Sequence, residues 1–203
     1  MSIITFPSTL KVSGSRWAQV RRDLAFSGPF GSQATELDGP LWEVMIGAPD
    51  MLERDAGEWQ ALLMLMRGQT NQLALWNHGR SAPRGTMRGT MTLNTAAAQG
   101  AVALSIIAAT EAATTLKAGD YLGLGTGVTQ QVVMVTADAT ANGSGVIAIS
   151  IEPPLRNAHL IAAAVTWDKP KALFRRKQSA ASWDYKNVTA SGLGLDLIED
   201  TRA

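Results

Sequence analysis

Residues 145–151 read GVIAISI, and residues 101–107 read AVALSII. In both stretches apolar side chains alternate with small residues, so one face of an extended chain is apolar. The residues that share that face are Val102, Leu104 and Ile106 in one stretch and Ile147, Ile149 and Ile151 in the other. With the apolar runs between them, this segment has five or so short strands in about 75 residues, a pattern typical of a small closed or partly closed β-barrel.

This segment differs from its flanks in composition. Every Trp and every Phe lies outside residues 91–165, and only six of the 35 charged residues lie inside that stretch. The C-terminal flank is too short to build its own core, so Trp167, Phe174 and Trp183 must pack with the N-terminal part. We therefore expect a host domain, residues 1–86 plus 165–203, that is interrupted by an inserted module, residues 87–164.

The host domain carries one clear helix signal, at about residues 55–67. Asp55 can cap the first turn, Glu58 completes a box-like start, and Gly68 ends the segment. Four apolar side chains then share one face of the helix and are predicted to hold the host core together with Trp42: Trp59, Leu62, Leu63 and Met66.

The rest of the host domain carries strand signals. In residues 41–46, LWEVMI, the alternation places Trp42 on the apolar face of a half-buried strand. Residues 163–167, 172–176 and 193–199 are further candidate strands, which we expect to pair with the host sheet. The fold class predicted from these signals is mainly β, a sheet domain with one helix and an inserted barrel.

Catalytic and metal-binding patterns are sparse. The chain has no Cys, which excludes disulfides, thiol catalysis and thiolate metal sites. His78 and His159 each lack a second ligand at metal-binding spacing. Residues 123–127, GLGTG, precede a strand rather than the helix that a phosphate-binding loop needs. We therefore predict no catalytic, cofactor-binding or metal-binding residue, and no enzyme activity.

Basic residues cluster near the C-terminus, around the apolar residues 172–174. The cluster consists of Lys169, Lys171, Arg175, Arg176 and Lys177. A nucleic-acid stripe is one interpretation, but the balanced net charge of +1 favours a solvated hairpin or a patch that meets an acidic neighbouring subunit. Arg84 and Arg156 flank the insert and are predicted to orient the two modules.

The first residues, MSIITFPSTLKV, lack the basic and apolar regions of a signal peptide, and no apolar run reaches membrane-spanning length. These patterns predict a soluble protein without a membrane anchor. We expect it to be made and used without secretion.

Several phrases, taken in order, resemble the distal tail proteins and related minor tail proteins of long-tailed bacteriophages. No single phrase is diagnostic, and the order together with the host-plus-insert layout carries the resemblance. The phrases are LWEV at 41–44, LMLMRG at 63–68, LALW at 73–76, PRGT at 83–86, LKAGDY at 116–121, PPLR at 153–156 and LIE at 197–199.

The resemblance implies a host domain of β-sandwich type, related to tail-tube subunits, and a peripheral barrel similar to an oligonucleotide/oligosaccharide-binding (OB) or galectin-like module. It also implies a structural virion protein of the tail tip or baseplate, made in the host bacterial cytoplasm. Copies would form a homo-oligomeric ring, by resemblance a hexamer, that joins the tail tube protein to the tail hub and other minor tail proteins. DNA would pass through the lumen without specific binding.

Two other functions stay open at this point. A carbohydrate-binding module would contact host cell-surface glycan through the inserted barrel, where Tyr121 is the sole large aromatic residue. A hydrolase would have to assemble its site from Ser, Asp and His78 or His159 scattered along the chain.

Overall fold

The structure is a computed structural model, which describes residues 1–108 and 111–202. The fold is mainly β, and within the described residues there is one α-helix, α1 (Gly57–Leu65). The strands, in chain order, are β1 (Ile3–Thr5), β2 (Gly14–Gly28), β3 (Gly31–Gly47), β4 (Met51–Leu52), β5 (Gln72–Trp76), β6 (Met91–Leu93), β7 (Ala103–Ile107), β8 (Thr115–Leu116), β9 (Tyr121–Leu124), β10 (Gln131–Val135), β11 (Ala139–Thr140), β12 (Val146–Glu152), β13 (Ala164–Thr166), β14 (Lys171–Arg176), β15 (Asp184–Lys186), β16 (Thr189–Ser191) and β17 (Gly194–Glu199).

The host domain contains a six-stranded sheet in the order β1-β5-β14-β17-β3-β2. β1 runs parallel to β5, and the other neighbours are antiparallel. The C-terminal strands β14 and β17 lie at its centre, so the two ends of the chain meet in one sheet. A smaller sheet, β15-β16-β4, adds Ala190 to the same buried core.

Helix α1 supplies much of this core. The five predicted core residues are all buried in one cluster: Trp42, Trp59, Leu62, Leu63 and Met66. Trp59 also donates a hydrogen bond from Nε1 to the carbonyl of Lys11, at 3.2 Å. The buried face of the helix is thus the one that the apolar spacing predicts.

The start of the helix differs from the prediction. Asp55 does not cap it, since Ala56 holds the N-cap position without a side-chain hydrogen bond. A 3₁₀ turn over Glu53–Asp55 leads directly into α1 and already provides helical backbone there. Glu58 instead accepts a hydrogen bond from Thr9 Oγ1, at 2.8 Å. At the other end, Gly68 has a φ of 64°, the left-handed conformation that stops a helix.

The insert is a closed barrel of six strands in the order β10-β12-β7-β6-β13-β9. All six contacts between neighbours are antiparallel. An OB-fold has five strands and is partly open, so this barrel has one strand more. Its interior holds the apolar faces of the two alternating stretches, except that Val102 precedes β7 and is exposed.

One strand that was predicted to join the host sheet belongs to the barrel. Residues 163–167 do not pair with the host sheet, because β13 lies between β6 and β9 and closes the barrel. Trp167 packs against the barrel core and donates from Nε1 to the carbonyl of Gly89, at 2.8 Å. The expectation that Trp167 joins the host core is therefore wrong, whereas Phe174 lies in that core and Trp183 packs against it.

A long hairpin, β2–β3, leaves the host sheet. Its strands have 15 and 17 residues, and they pair continuously down to the turn between Gly28 and Gly31. The Gly39-Pro40 pair, which resembles a turn signal in the sequence, lies inside β3. Beyond residue 43 towards the turn, β17 no longer pairs with β3. A proline is tolerated on such an edge and next to the irregular register between Val20 and Arg22.

Candidate assembly site: the arm and the junction between the modules

The outer part of this hairpin, residues 20–41, is here called the arm. Five of its large apolar side chains are exposed, and the most exposed is Phe30 at the turn. The others are Val20, Leu24, Phe26 and Leu37. A two-stranded ribbon of about ten residues a strand is roughly 30 Å long and has too few neighbours to bury such side chains by itself. These five side chains therefore give the arm an exposed apolar surface.

The root of the arm touches the barrel. Arg21 Nη2 lies 2.6 Å from Glu152 Oε1 of β12, and Arg21 Nη1 lies 3.4 Å from Glu36 Oε1 on the opposite strand. Because these side chains are part-exposed, the charges are screened and add little stability. The contacts lie where the arm leaves the body of the molecule.

Aromatic side chains join the two modules. Trp42 of the host sheet donates from its buried Nε1 to the carbonyl of Val132 in the barrel, at 3.0 Å. Trp17 makes edge-on contacts with Trp42 and Phe174, with ring centroids 6.0 and 5.5 Å apart. Tyr121 of the barrel packs on Trp17 and Trp42, at 6.2 and 5.9 Å. Tyr121 thus belongs to the junction and does not form an open platform for a sugar.

A buried ion pair lies where the chain returns from the barrel. Arg156 Nη2 is 2.5 Å from Glu199 Oε2 of β17, and the Glu199 side chain is fully buried. The same carboxylate oxygen accepts a hydrogen bond from the backbone N–H of Trp42, at 2.9 Å. Buried Gln131 holds the backbone of this return segment, since its Oε1 accepts from Arg156 N and its Nε2 donates to Pro154 O. Arg156 therefore contacts both modules.

Burial raises the pKa of the Glu199 carboxyl, because water no longer solvates its charge. Arg156 and the backbone N–H of Trp42 act in the opposite direction, since both favour the ionised form. The charge on Glu199 thus depends on its arginine partner.

Asp120 of the barrel forms hydrogen bonds with the segment by which the chain leaves the host domain. This side chain is fully buried and accepts three backbone hydrogen bonds: from Arg84 N at 2.7 Å, from Gly85 N at 3.1 Å and from Lys117 N at 2.7 Å. The guanidinium of Arg84 donates to the carbonyl of Ala118. The predicted position of Arg84 at the junction agrees with these contacts, although it is Asp120 that makes most of them.

Gly85 is tightly enclosed at the same crossing. A Cβ atom at this position would lie 2.1 Å from the carbonyl oxygen of Thr115, a distance that backbone atoms cannot accommodate. The outgoing segment therefore lies directly against the backbone of β8. Together, the outgoing and returning crossings fix the barrel at two places.

The five residues of the basic cluster do not form one patch. Lys169 and Lys171 lie beside Trp76, with each Nζ 5.8 Å from the indole centroid. Arg176 is buried and donates to the carbonyl of Ala180. Lys177 lies 2.8 Å from the Glu43 carboxylate.

Arg175, on the opposite face of β14 from Arg176, reaches Gln69 Oε1 at 3.4 Å. Alternation along β14 places Lys171 and Arg175 on one face and turns Arg176 to the other, where it is buried. The five basic residues thus do not all share one surface.

The two histidines make aromatic or backbone contacts, and the glycine-rich loop at 123–127 leads to a strand. His78 stacks near Phe6 and Trp76, and burial lowers its pKa. His159 pairs with Ala97 in an isolated bridge, and burial lowers its pKa as well. Residues 123–127 are followed by one 3₁₀ turn and then by β10. In the part of the chain that the structure describes, no group of three or more potential metal ligands occurs.

Among residues 1–108 and 111–202, no helix has the length and apolar character needed to cross a membrane.

No protein-family model matches the chain, and no curated protein shows significant similarity to it in sequence. The resemblance to distal tail proteins therefore stays a prediction.

Proposed function

We propose that the chain is a structural subunit of a phage tail tip or baseplate, which assembles into a homo-oligomeric ring. The ring joins the tail tube to the hub or receptor-binding apparatus, and DNA passes through its lumen. The observation that carries the proposal is the arm, whose exposed apolar side chains have no partner within the described part of the chain.

The open host sheet supports a ring in particular. Its two edge strands differ, since β1 has three residues and β2 has 15. An open edge with apolar side chains favours pairing with another chain. When the contact joins two different surfaces head to tail, and the rotation closes, the product is a ring. A fixed barrel position would keep the rotation between subunits constant.

The junction also supports a structural role. Arg156, Glu199, Asp120 and the aromatic contacts all hold one module against the other. These polar groups make contacts within the chain. A scaffold subunit needs such rigidity, whereas a glycan-binding barrel would need a platform that Tyr121 does not provide.

The proposal is tested by light scattering on the full chain across a concentration series. We expect the wild-type mass to rise to one fixed multiple of the monomer. Replacing Phe26→Ser and Phe30→Ser together should return the protein to a monomer with an unchanged melting temperature, because both side chains are exposed. Val188→Ser is the control, since Val188 is about as exposed as Phe26 but lies outside the arm. A wild-type protein that stays monomeric at every concentration contradicts the proposal.

A further inference from the structure

A cleft of about 720 Å³ lies between the host sheet and the barrel. Trp76, at the end of β5, lines it from the host side together with Lys169 and Lys171. Gly125 and Gln130 line it from the barrel side. The volume lies within the range typical of small-molecule sites. Neither the arm nor the ion pair at the junction involves these five residues.

Trp76 has a fixed orientation at this cleft. Its indole is half-buried, and its ring lies 4.8 Å from that of His78 and 6.0 Å, edge-on, from that of Phe6. A half-buried indole at the wall of a cleft can stack its exposed part against the apolar face of a sugar ring.

Two positive charges adjoin the indole. The Nζ atoms of Lys169 and Lys171 each lie 5.8 Å from its centroid, and neither lysine has a carboxylate within 4.0 Å among the described residues. Lys169 has a φ of 45°, a left-handed conformation that non-glycine residues rarely adopt, and its N–H donates to the carbonyl of Ser81 at 2.6 Å. Both ammonium groups therefore lie near the indole, and their charge would attract an anionic ligand to this part of the cleft.

Polar groups around the cleft suit a ligand with hydroxyl groups. Asp168, Gln130 and Thr166 can accept or donate hydrogen bonds there. The glycine loop forms part of the wall, since a Cβ at Gly123 would lie 3.2 Å from the Pro170 side chain. Backbone in place of side chains therefore lines this part of the cleft.

We propose that this cleft binds an acidic saccharide. The sugar ring lies against Trp76, its carboxylate or phosphate pairs with Lys169 and Lys171, and its hydroxyl groups bond to the polar lining. This site differs from the proposed ring contacts and does not depend on them.

The test uses the full chain and two matched disaccharides, digalacturonic acid and neutral galactobiose, with binding followed by calorimetry and by ligand-observed NMR. We expect saturable binding of digalacturonic acid that weakens at high salt, because the charges are solvent-accessible. Galactobiose should bind at least about tenfold more weakly, since it lacks the charge-assisted contacts. Glucose 6-phosphate, compared with glucose, shows whether a phosphate replaces the carboxylate.

Substitutions distinguish the contribution of the two lysine charges to binding from that of stacking on Trp76. Lys169→Ala with Lys171→Ala should weaken digalacturonic acid binding by about tenfold and leave galactobiose binding unchanged. Lys186→Ala, an exposed lysine on β15, is the control and should change neither. Trp76→Ala should weaken both disaccharides. Because Trp76 also packs on Phe6 and His78, Trp76→Phe is measured beside it, with melting temperatures for each.

Three results overturn the proposal. One is the absence of binding of both acidic probes to folded wild-type protein. Another is unchanged binding by the double lysine variant. The third is tighter binding of adenosine monophosphate than of either acidic sugar, which would assign the cleft to a nucleotide.

Discussion

Replacing Arg156→Met removes one member of the ion pair with Glu199 and keeps most of the side-chain volume. The Glu199 carboxylate is then left fully buried, and among the described residues the N–H of Trp42 is its remaining charge-stabilising partner. Removing one partner from a buried pair typically costs about 3–5 kcal/mol. Because the Arg156 side chain is 22% exposed, we expect the lower end, about 3 kcal/mol. In a chain of this size, that corresponds to a fall in melting temperature of about 6–12 °C.

The loss should depend on pH in a defined direction. Burial already raises the pKa of Glu199, and loss of Arg156 removes a contribution that lowers it. A carboxyl whose folded pKa lies above its unfolded value, about 4.3, binds more protons in the folded state. Its contribution to stability is therefore most favourable at low pH and falls as pH rises through the folded pKa. The variant should lose more stability at about pH 8 than at about pH 5.

Urea unfolding of wild type and variant at both pH values measures this difference. Arg54→Met is the control, because the Arg54 side chain is 79% exposed and its pair with Asp55 should contribute under about 1 kcal/mol at either pH. A loss below about 1 kcal/mol for Arg156→Met would refute a stabilising role of the buried Arg156–Glu199 pair. An equal loss at both pH values would refute its dependence on the charge of Glu199.

Three further predictions concern the core and the outgoing crossing, and each is checked by urea or thermal unfolding. Leu63→Ala should destabilise the protein by about 2–5 kcal/mol, since Leu63 is 2% exposed in the host core, and an unchanged melting temperature would contradict its packing. Gly85→Ala should prevent folding or destabilise severely because of the clash with Thr115, whereas Gly57→Ala, with open space around it, should not. Asp120→Asn should cost about 2 kcal/mol, because an amide nitrogen replaces one acceptor of the three backbone hydrogen bonds; equal stability would show that these bonds do not hold the crossing.

The sequence predicts those parts of the fold in which burial follows local spacing. The face of α1 with Trp59 and Leu63, and the alternating faces of β7 and β12, are buried as the periodicity requires. Such signals need only neighbouring residues, because each element turns one side towards a core.

The arm could not be predicted in this way. Its strand β3 contains Gly39 and Pro40, residue types that usually occur in turns, and five of its large apolar side chains are exposed rather than buried. An edge ribbon tolerates both features. The sequence therefore favours several short strands where the structure has two long ones.

The polar contacts of the junction join residues that are distant in sequence. Asp120 bonds to Arg84 and Gly85 across about 35 positions, and Arg156 meets Glu199 across 43. The sequence shows only that Asp120 is one of few charges in the barrel segment, a signal that could have marked it for attention. Which partner each charge finds depends on the topology of both modules.

Imaging the largest assembled species of the wild-type protein by electron cryomicroscopy tests the ring most directly. We expect class averages of a closed ring with a central hole, in which the arm of each subunit contacts the next. Open filaments, irregular clusters, or particles no larger than one subunit would contradict it.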